Sequence, residues 1–185
     1  YPTHGLGPIA WCMDINRGDR FDYLTSLESA QGNFEAFARA HYGADDWRLR
    51  TKVAMGDMNC TLVKTALGRS ILIKHDVSSP RPYTRTDLIT GTKGVFWGMP
   101  WRTYGDDPAV FKMGFEGVHQ FSDAPKAEEF RLRYRHPLWK KIGQIAEEVG
   151  GHGGMDFIMD LRWAYCLQNG LPLDQDVYDL AAWCS

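Results

Sequence analysis

MNCTLVKTALGRSILIKHDV, residues 58–77, is the stretch that decides the fold. Residues 58–67 and 69–77 are rich in Val, Ile, Leu and Thr, and Gly68 separates the two runs. Apolar and β-branched side chains on both sides of a glycine are typical of two strands joined by a tight turn. The sequence therefore predicts a β-hairpin near the middle of the chain.

Further strands are predicted on either side of this hairpin. Residues 20–29 alternate loosely, and residues 84–89 and 95–97 carry strand-forming side chains. Two prolines in residues 78–82 interrupt the pattern, because proline cannot donate to a strand ladder. Residues 99–107 are predicted to form an irregular surface loop.

Helices are predicted towards both ends of the chain. The first covers residues 5–16 with Pro8 in its first turn, where the missing N–H costs nothing, and a short second helix is capped by Asn33. Three more are expected in the last third, over residues 137–150, residues 154–168 and from about residue 174. Strands in the middle with helices at both ends indicate an α+β fold, an open and mostly antiparallel sheet covered on one face by helices.

Composition excludes some classes of function. The formal net charge is −2 and no basic stripe is present, which argues against a nucleic-acid partner. No apolar run approaches the length of a membrane span. The four cysteines form no CxxC pair, so we interpret them as buried free thiols and expect no metal site. The chain begins at Tyr1 and not at a methionine, so we expect that any preceding segment was removed or is not included in this sequence.

Two stretches carry side chains suited to sugar chemistry. His4 lies among glycines near a predicted helix start, where an imidazole can take a proton from a hydroxyl. The alternative is a histidine that satisfies only local hydrogen bonds. Arg81, Tyr83 and Arg85 follow a predicted strand in a proline-stiffened loop and can donate to sugar hydroxyls or an acetamido carbonyl. Solvated arginines at a strand exit explain them equally well.

The glycine-rich stretch GGHGG, residues 150–154, precedes a predicted helix. Glycines there let a ligand approach the backbone N–H groups. The stretch follows a helix and not a strand, so it does not match the dinucleotide-binding turn. His152, Asp156 and Asp160 have helical spacing, but no fourth metal ligand is evident, and the two aspartates are better explained by the helix dipole.

Together these stretches resemble a known family. YPTHGLGP (residues 1–8), HDVSSPRPYTR (75–85), GGHGGMDF (150–157) and NGLPLDQDVYD (169–179) are similar to glycoside hydrolase family 109, in register over nearly the whole chain. These are NAD-dependent α-N-acetylgalactosaminidases of the Gfo/Idh/MocA oxidoreductase superfamily. The chain resembles only their C-terminal α+β domain, and stops short of its usual end, so residues 1–185 are expected to be a substrate-binding and oligomerisation domain without the N-terminal Rossmann domain.

The resemblance implies a mechanism. A hydride leaves C3 of the sugar for NAD, the C2 proton becomes acidic, the anomeric group is eliminated, water adds, and the hydride returns to C3. His4 and Tyr1 match the family's catalytic positions, with His4 as acid/base at C3. Tyr83 matches a family tyrosine that lines the sugar pocket, and Arg81 and His152 are expected to be substrate-binding groups in or behind that pocket. NAD is held mainly by the absent domain, so no cofactor-binding residue is assigned to this chain and the isolated chain is expected to be inactive.

Other functions stay open at this point. The parent can be a plain NAD(P)-dependent sugar dehydrogenase, or this chain can be a non-catalytic sugar-binding or oligomerisation module. The partners implied by the resemblance are an N-acetylgalactosamine-type sugar, the protein's own Rossmann domain and a second copy bound through the open sheet face. The family also implies a periplasmic or secreted bacterial protein.

Overall fold

The computed structural model describes residues 2–76, 78–98, 100–109, 111 and 119–184. It divides into two units, Tyr1–Tyr83 with Tyr178–Ser185, and Thr84–Val177. We call them the first unit and the second unit. No described helix is long and apolar enough to cross a lipid bilayer.

Strands and helices have the following bounds in the part of the chain that the structure describes. The strands are β1 (Phe21–Glu28), β2 (Met58–Thr65), β3 (Ser70–Asp76), β4 (Leu88–Gly91), β5 (Gly94–Trp97) and β6 (Arg102–Gly105). The helices are α1 (Pro2–Cys12), α2 (Asn33–His41), α3 (Ala124–Arg133), α4 (Pro137–Val149), α5 (Met155–Gln168) and α6 (Val177–Cys184), with short 3₁₀ turns at Trp47–Arg50 and His152–Gly154.

The first unit is built on an antiparallel sheet in the order β1-β2-β3. The predicted hairpin is confirmed as β2 and β3, and Gly68 takes a φ of +88°, which glycine adopts at little cost. Val63 pairs with Ile71, and both point into a core that also contains Leu6 of α1 and Trp183 of α6. The sheet is therefore covered on one face by helices.

Buried Asp19 joins two turns of the first unit. Its Oδ1 accepts hydrogen bonds from the backbone N–H of Arg20 (2.8 Å) and of Leu67 (3.0 Å). Burial alone raises the pKa of this carboxyl. Hydrogen bonds, from Thr65 above all, and the charge of Arg69 outweigh burial and hold the pKa below its ordinary value of 3.8.

Two helix starts differ from the sequence prediction. Helix α1 begins at Pro2 and ends at Cys12, so Pro8 lies inside it and not in its first turn. The chain leaves the helix through Asp14 and Asn16, which have φ values of 55° and 64° that short polar side chains tolerate. Helix α2 is capped by Asp57, whose carboxylate accepts the N–H groups of residues 32 and 33 at 2.8 and 3.1 Å.

The second unit carries the other antiparallel sheet, in the order β4-β5-β6. The prediction of an irregular loop over residues 99–107 was wrong, because β6 lies there and pairs with β5. A strand of four residues is too short to show a period in the sequence and depends on its neighbour. Phe111 is buried between Tyr104 and Phe130, and so joins β6 to α3.

The α+β class with open antiparallel sheets is confirmed, and the six described strands are divided equally between two sheets. β4 overlaps the strand predicted over residues 84–89 only at residues 88 and 89, so most of that prediction was wrong. The helices predicted from residue 137 and residue 154 are observed as α4 and α5. The final helix begins at Val177, three residues later than expected. Not all cysteines are buried as predicted: all four are free thiols, but Cys12 and Cys184 are exposed.

Candidate functional site

His4 lies in the first turn of α1, in the first unit. Its side chain is exposed to solvent, and Nδ1 lies 3.3 Å from the Oγ1 of Thr3. An exposed imidazole at a helix start can reach a bound hydroxyl and exchange a proton with it. Tyr1, the other expected catalytic residue, lies outside the described residues.

Arg81 follows β3 and is tied to the end of that strand. Its Nε donates to Oδ2 of Asp76 (3.2 Å), and its Nη2 donates to the Asp76 backbone carbonyl (2.8 Å). The backbone N–H of Ser79 donates to the other carboxylate oxygen at 3.0 Å. This bond from Ser79, followed by the charge of Arg81, lowers the pKa of Asp76 below 3.8. Arg81 therefore fastens the loop as well as offering its remaining donors to a ligand.

Tyr83 stands two residues further on and is 75% exposed. The hydrogen bonds that Arg81 and Ser79 make to Asp76 restrain the backbone of this loop, and Tyr83 is attached to it. Sequence reasoning overlooked Asp76 because an aspartate at a strand end is commonplace. Its only signal was its position directly before the serine- and proline-rich loop.

His152 belongs to the second unit, in the turn between α4 and α5. Its Nδ1 lies 2.8 Å from Oδ2 of Asp156, in the first turn of α5, and 77% of its side chain is exposed. No group of three or more metal-ligating side chains occurs among the residues that the structure describes. His152 and Asp156 therefore interact as a pair.

The predicted site residues are thus divided between the units. His4, Arg81 and Tyr83 lie in the first unit, and His152 lies in the second. Each of His4, Arg81 and His152 has a hydrogen-bond partner within five residues in the sequence. These partners are Thr3, Asp76 and Asp156 respectively.

The second unit also holds an aromatic groove of about 230 Å³, which sequence reasoning missed. Trp101 and Tyr134 line the groove, and 58% of each residue is exposed. The Tyr134 hydroxyl donates to Oδ2 of Asp107 at 2.8 Å, which raises the pKa of Tyr134 and lowers that of Asp107. Exposed rings with fixed polar edges suit the flat faces of sugars. The groove was missed because the hairpin of β5 and β6 is completed by α3, which lies further along the chain.

No strand-to-helix glycine turn of the dinucleotide-binding kind is found among the described residues. The glycine-rich turn at residues 150–154 connects two helices, and the cofactor's diphosphate is normally held where a strand runs into a helix. The described chain thus contains groups that can bind hydroxyls and move protons, but no dinucleotide cradle.

Sequence comparison defines the class to which this chain belongs. The family model for the C-terminal domain of glycosyl hydrolase 109 matches residues 1–185, so the chain belongs to that family. The family resemblance inferred from the motifs is confirmed.

Its relatives are bacterial proteins of that family. The chain is 51% identical over 183 residues to glycosyl hydrolase family 109 protein 2 of Shewanella sp. strain MR-4. It is 50% identical over 183 residues to the family 109 protein of Shewanella amazonensis. These alignments cover 99% of this chain but 39% of each relative, so the chain spans about two-fifths of the length of the curated relatives it matches.

Proposed function

We propose that this chain is the sugar-facing domain of a glycosidase that hydrolyses α-N-acetylgalactosaminides through transient oxidation of C3. The observation that carries the proposal is the family match over residues 1–185. NAD is the proposed oxidant, and it is held by a part of the parent protein outside this chain.

The residues of this chain handle protons and hydroxyl groups in this proposal. His4 takes the proton of the C3 hydroxyl and returns it, with Tyr1 as the second proton-transfer group. Tyr83 and Arg81 donate hydrogen bonds to the sugar, and His152 is proposed as a further sugar-binding residue. The exposure of His4 and Tyr83 and the restraint of Arg81 by Asp76 support these roles.

Activity of the full-length protein on a chromogenic α-N-acetylgalactosaminide tests the proposal. Release of the chromophore without added cofactor supports a glycosidase, because the hydride returns to the sugar in every turnover. Reduction of NAD in proportion to substrate, with no release of the aglycone, would instead identify a sugar dehydrogenase.

His4→Ala should lower turnover about a hundredfold or more, the usual contribution of a general acid/base. His41→Ala is the matched control, since this exposed histidine of α2 bonds the Phe37 carbonyl and stacks on the Phe37 ring. It should leave turnover within about twofold of wild type. A loss of less than threefold in His4→Ala would remove His4 from the mechanism.

Tyr83→Phe should weaken sugar binding by one hydrogen bond, about 1 kcal/mol or roughly fivefold in affinity. Tyr23→Phe is its control, because Tyr23 is similarly exposed on the sheet of the first unit. Equal affinities for the Tyr83 variant and wild type would place Tyr83 outside the pocket.

The isolated chain should be inactive and bind N-acetylgalactosamine weakly, because part of the pocket lies in the rest of the parent. Calorimetric titration of the chain with the free sugar checks this. Tight binding without NAD would favour a non-catalytic sugar-binding module.

We also propose that a second copy of the protein binds the uncovered face of the first sheet. Leu62 and Leu72 pair across β2 and β3 on this face and are 50% and 64% exposed, with Tyr23 and Leu27 of β1 beside them. Exposed apolar patches often mark interaction sites, and a two-fold axis would bring the same patch of each copy together. Leu62→Glu with Leu72→Glu should lower the sedimenting mass of the full-length protein, and a monomeric wild type would contradict the proposal.

A further inference from the structure

The loop of residues 78–83 is bonded to the start of α2. The side-chain nitrogen Nδ2 of Asn33 donates to the hydroxyl oxygen of Ser79 at 3.3 Å. The Ser78 hydroxyl donates to Oδ1 of Asp57 at 3.3 Å, and the same carboxylate caps α2. Both contacts join positions that are far apart in the sequence, so they hold the loop against a separate element of the first unit.

Ser79 links the contact with α2 to the partner of Arg81. Its backbone N–H donates to Oδ1 of Asp76 at 3.0 Å, and Nε of Arg81 donates to Oδ2 of the same carboxylate at 3.2 Å. Only 6% of the Asp76 side chain is exposed. The Ser79 N–H, and to a smaller extent its hydroxyl, help to keep the pKa of Asp76 below 3.8 against the effect of burial. A displacement of Ser79 would therefore disturb the carboxylate that holds Arg81.

These side-chain contacts matter because the loop has no regular secondary structure. Residues 78–83 belong to no helix or strand, and Pro80 and Pro82 have no N–H to donate. Without ladder hydrogen bonds, the path of a surface segment depends on its contacts with the elements beside it. The position of Tyr83, which is 75% exposed at the end of the loop, depends on that path.

We propose that Asn33 and Ser79 are positioning residues that hold Arg81 and Tyr83 in place to bind the sugar. The proposal rests on the proposed glycosidase function and on the roles given there to Arg81 and Tyr83. Neither Asn33 nor Ser79 contacts the sugar, so their effect is on substrate binding and not on the transfer of protons or hydride. The simpler alternative is that both residues only stabilise the first unit.

Kinetics of the full-length protein on the chromogenic α-N-acetylgalactosaminide separate these two roles. Asn33→Ala and Ser79→Ala should each raise KM about three- to tenfold, because one or two hydrogen bonds to the sugar are weakened, with kcat within about twofold of wild type. Ser79→Thr keeps the hydroxyl and should hold KM within about twofold of wild type. Glu35→Ala is the control, because Glu35 also lies in the first turn of α2 but pairs with Arg39 on the exposed surface. Its KM should also stay within about twofold.

A double-mutant cycle tests whether Asn33 acts through Tyr83. If Asn33 positions Tyr83, its effect must shrink when the Tyr83 hydroxyl is absent. Asn33→Ala should therefore raise KM in the Tyr83→Phe background by at most about half the factor that it gives in the wild-type background. A role in stability alone would give the same factor in both backgrounds.

Amide hydrogen exchange tests the restraint of the loop without reference to activity. Mass spectrometry of a peptide that spans residues 78–83 follows the loop amides of the full-length protein. Asn33→Ala and Ser79→Ala should speed this exchange at least about threefold, because a loop that has lost a contact opens more often, and Glu35→Ala should leave it unchanged.

Each outcome decides the proposal. An unchanged KM in Asn33→Ala or Ser79→Ala, an equal rise in Glu35→Ala, or the same factor in both backgrounds of the cycle would overturn it and leave the glycosidase function standing. If Asn33→Ala does not fold, the comparison of Ser79→Ala with Ser79→Thr decides in its place. If the wild-type protein releases no aglycone, the proposed function fails, and hydrogen exchange alone decides whether Asn33 and Ser79 hold the loop. Unchanged exchange in both alanine variants would overturn the positioning role.

Discussion

Replacing Arg17 tests how the turn after α1 holds the final helix of the first unit. The Arg17 guanidinium bonds Asp179 with two parallel contacts, Nη1 to Oδ1 at 2.8 Å and Nη2 to Oδ2 at 2.6 Å. It also lies over the ring of Trp11, 4.6 Å from the ring centroid. Asp179 is 1% exposed and lies in the first turn of α6. Arg17→Met would leave this carboxylate buried without its cation.

The size of the loss follows from burial. Removing one partner of a fully buried ion pair costs about 3–5 kcal/mol. The Arg17 side chain is 34% exposed, so water already screens the pair, and the Asn16 amide remains 3.4 Å from Oδ1. We therefore expect a loss of about 2–4 kcal/mol, which is about 30- to 1,000-fold in the opening equilibrium of α6.

Amide hydrogen exchange of α6 in the full-length protein measures this equilibrium, because opening of the helix exposes its amides. Arg39→Met is the matched control, since Arg39 pairs with Glu35 on the exposed surface of α2 and such pairs contribute less than about 0.5 kcal/mol. Arg17→Met combined with Asp179→Leu should recover at least half of the protection, because the buried carboxylate that loses the guanidinium is then removed as well. Less than a threefold change in the exchange of α6 in Arg17→Met would refute the reasoning.

Four further substitutions test the fold. The folded-state pKa of Asp19 is lowered below 3.8, so the stability that its ionised carboxylate contributes is complete above that pH and is lost as the pH falls below it. Between pH 5 and pH 3, the melting temperature of Asp19→Asn should therefore fall less steeply with pH than that of the wild type. Gly154→Ala should destabilise the protein by more than about 1 kcal/mol, since its φ of +93° and the nearby Ala146 backbone both oppose a side chain. Gly5→Ala in α1, where no atom lies within 4 Å of the new Cβ, should instead stabilise it by about 0.5–1 kcal/mol; urea midpoints that rank these two variants the other way round would contradict the packing. Asp57→Ala should cost about 1 kcal/mol through loss of the α2 cap, measured as a lower urea midpoint.

Local sequence signals located the elements that carry strong patterns. The hairpin of β2 and β3 has two apolar runs and a glycine between them, and α4 has a proline at its start and glycines after its end. Such signals depend only on a residue and its near neighbours. They also selected His4, Arg81 and His152, each of which stands beside a turn or helix end.

Elements that depend on partners elsewhere in the chain were missed or misplaced. β6 has four residues and exists because β5 pairs with it. The cap of α2 comes from Asp57, some 24 residues further along the chain. The groove beside Trp101 combines two strands with a distant helix. No local pattern records contacts of this range.

By itself, the sequence determined the α+β class, the central hairpin and the family, and it predicted residues whose chemistry suits a sugar. These follow from side-chain type and short-range spacing, which every local segment carries with it. Only the tertiary structure decided that Asp76 clamps Arg81, that Asp156 lies beside His152 and that Arg17 pairs with a buried Asp179. Hydrogen bonds and ion pairs depend on distances of about 3 Å and on the exclusion of water, and the folded chain sets both.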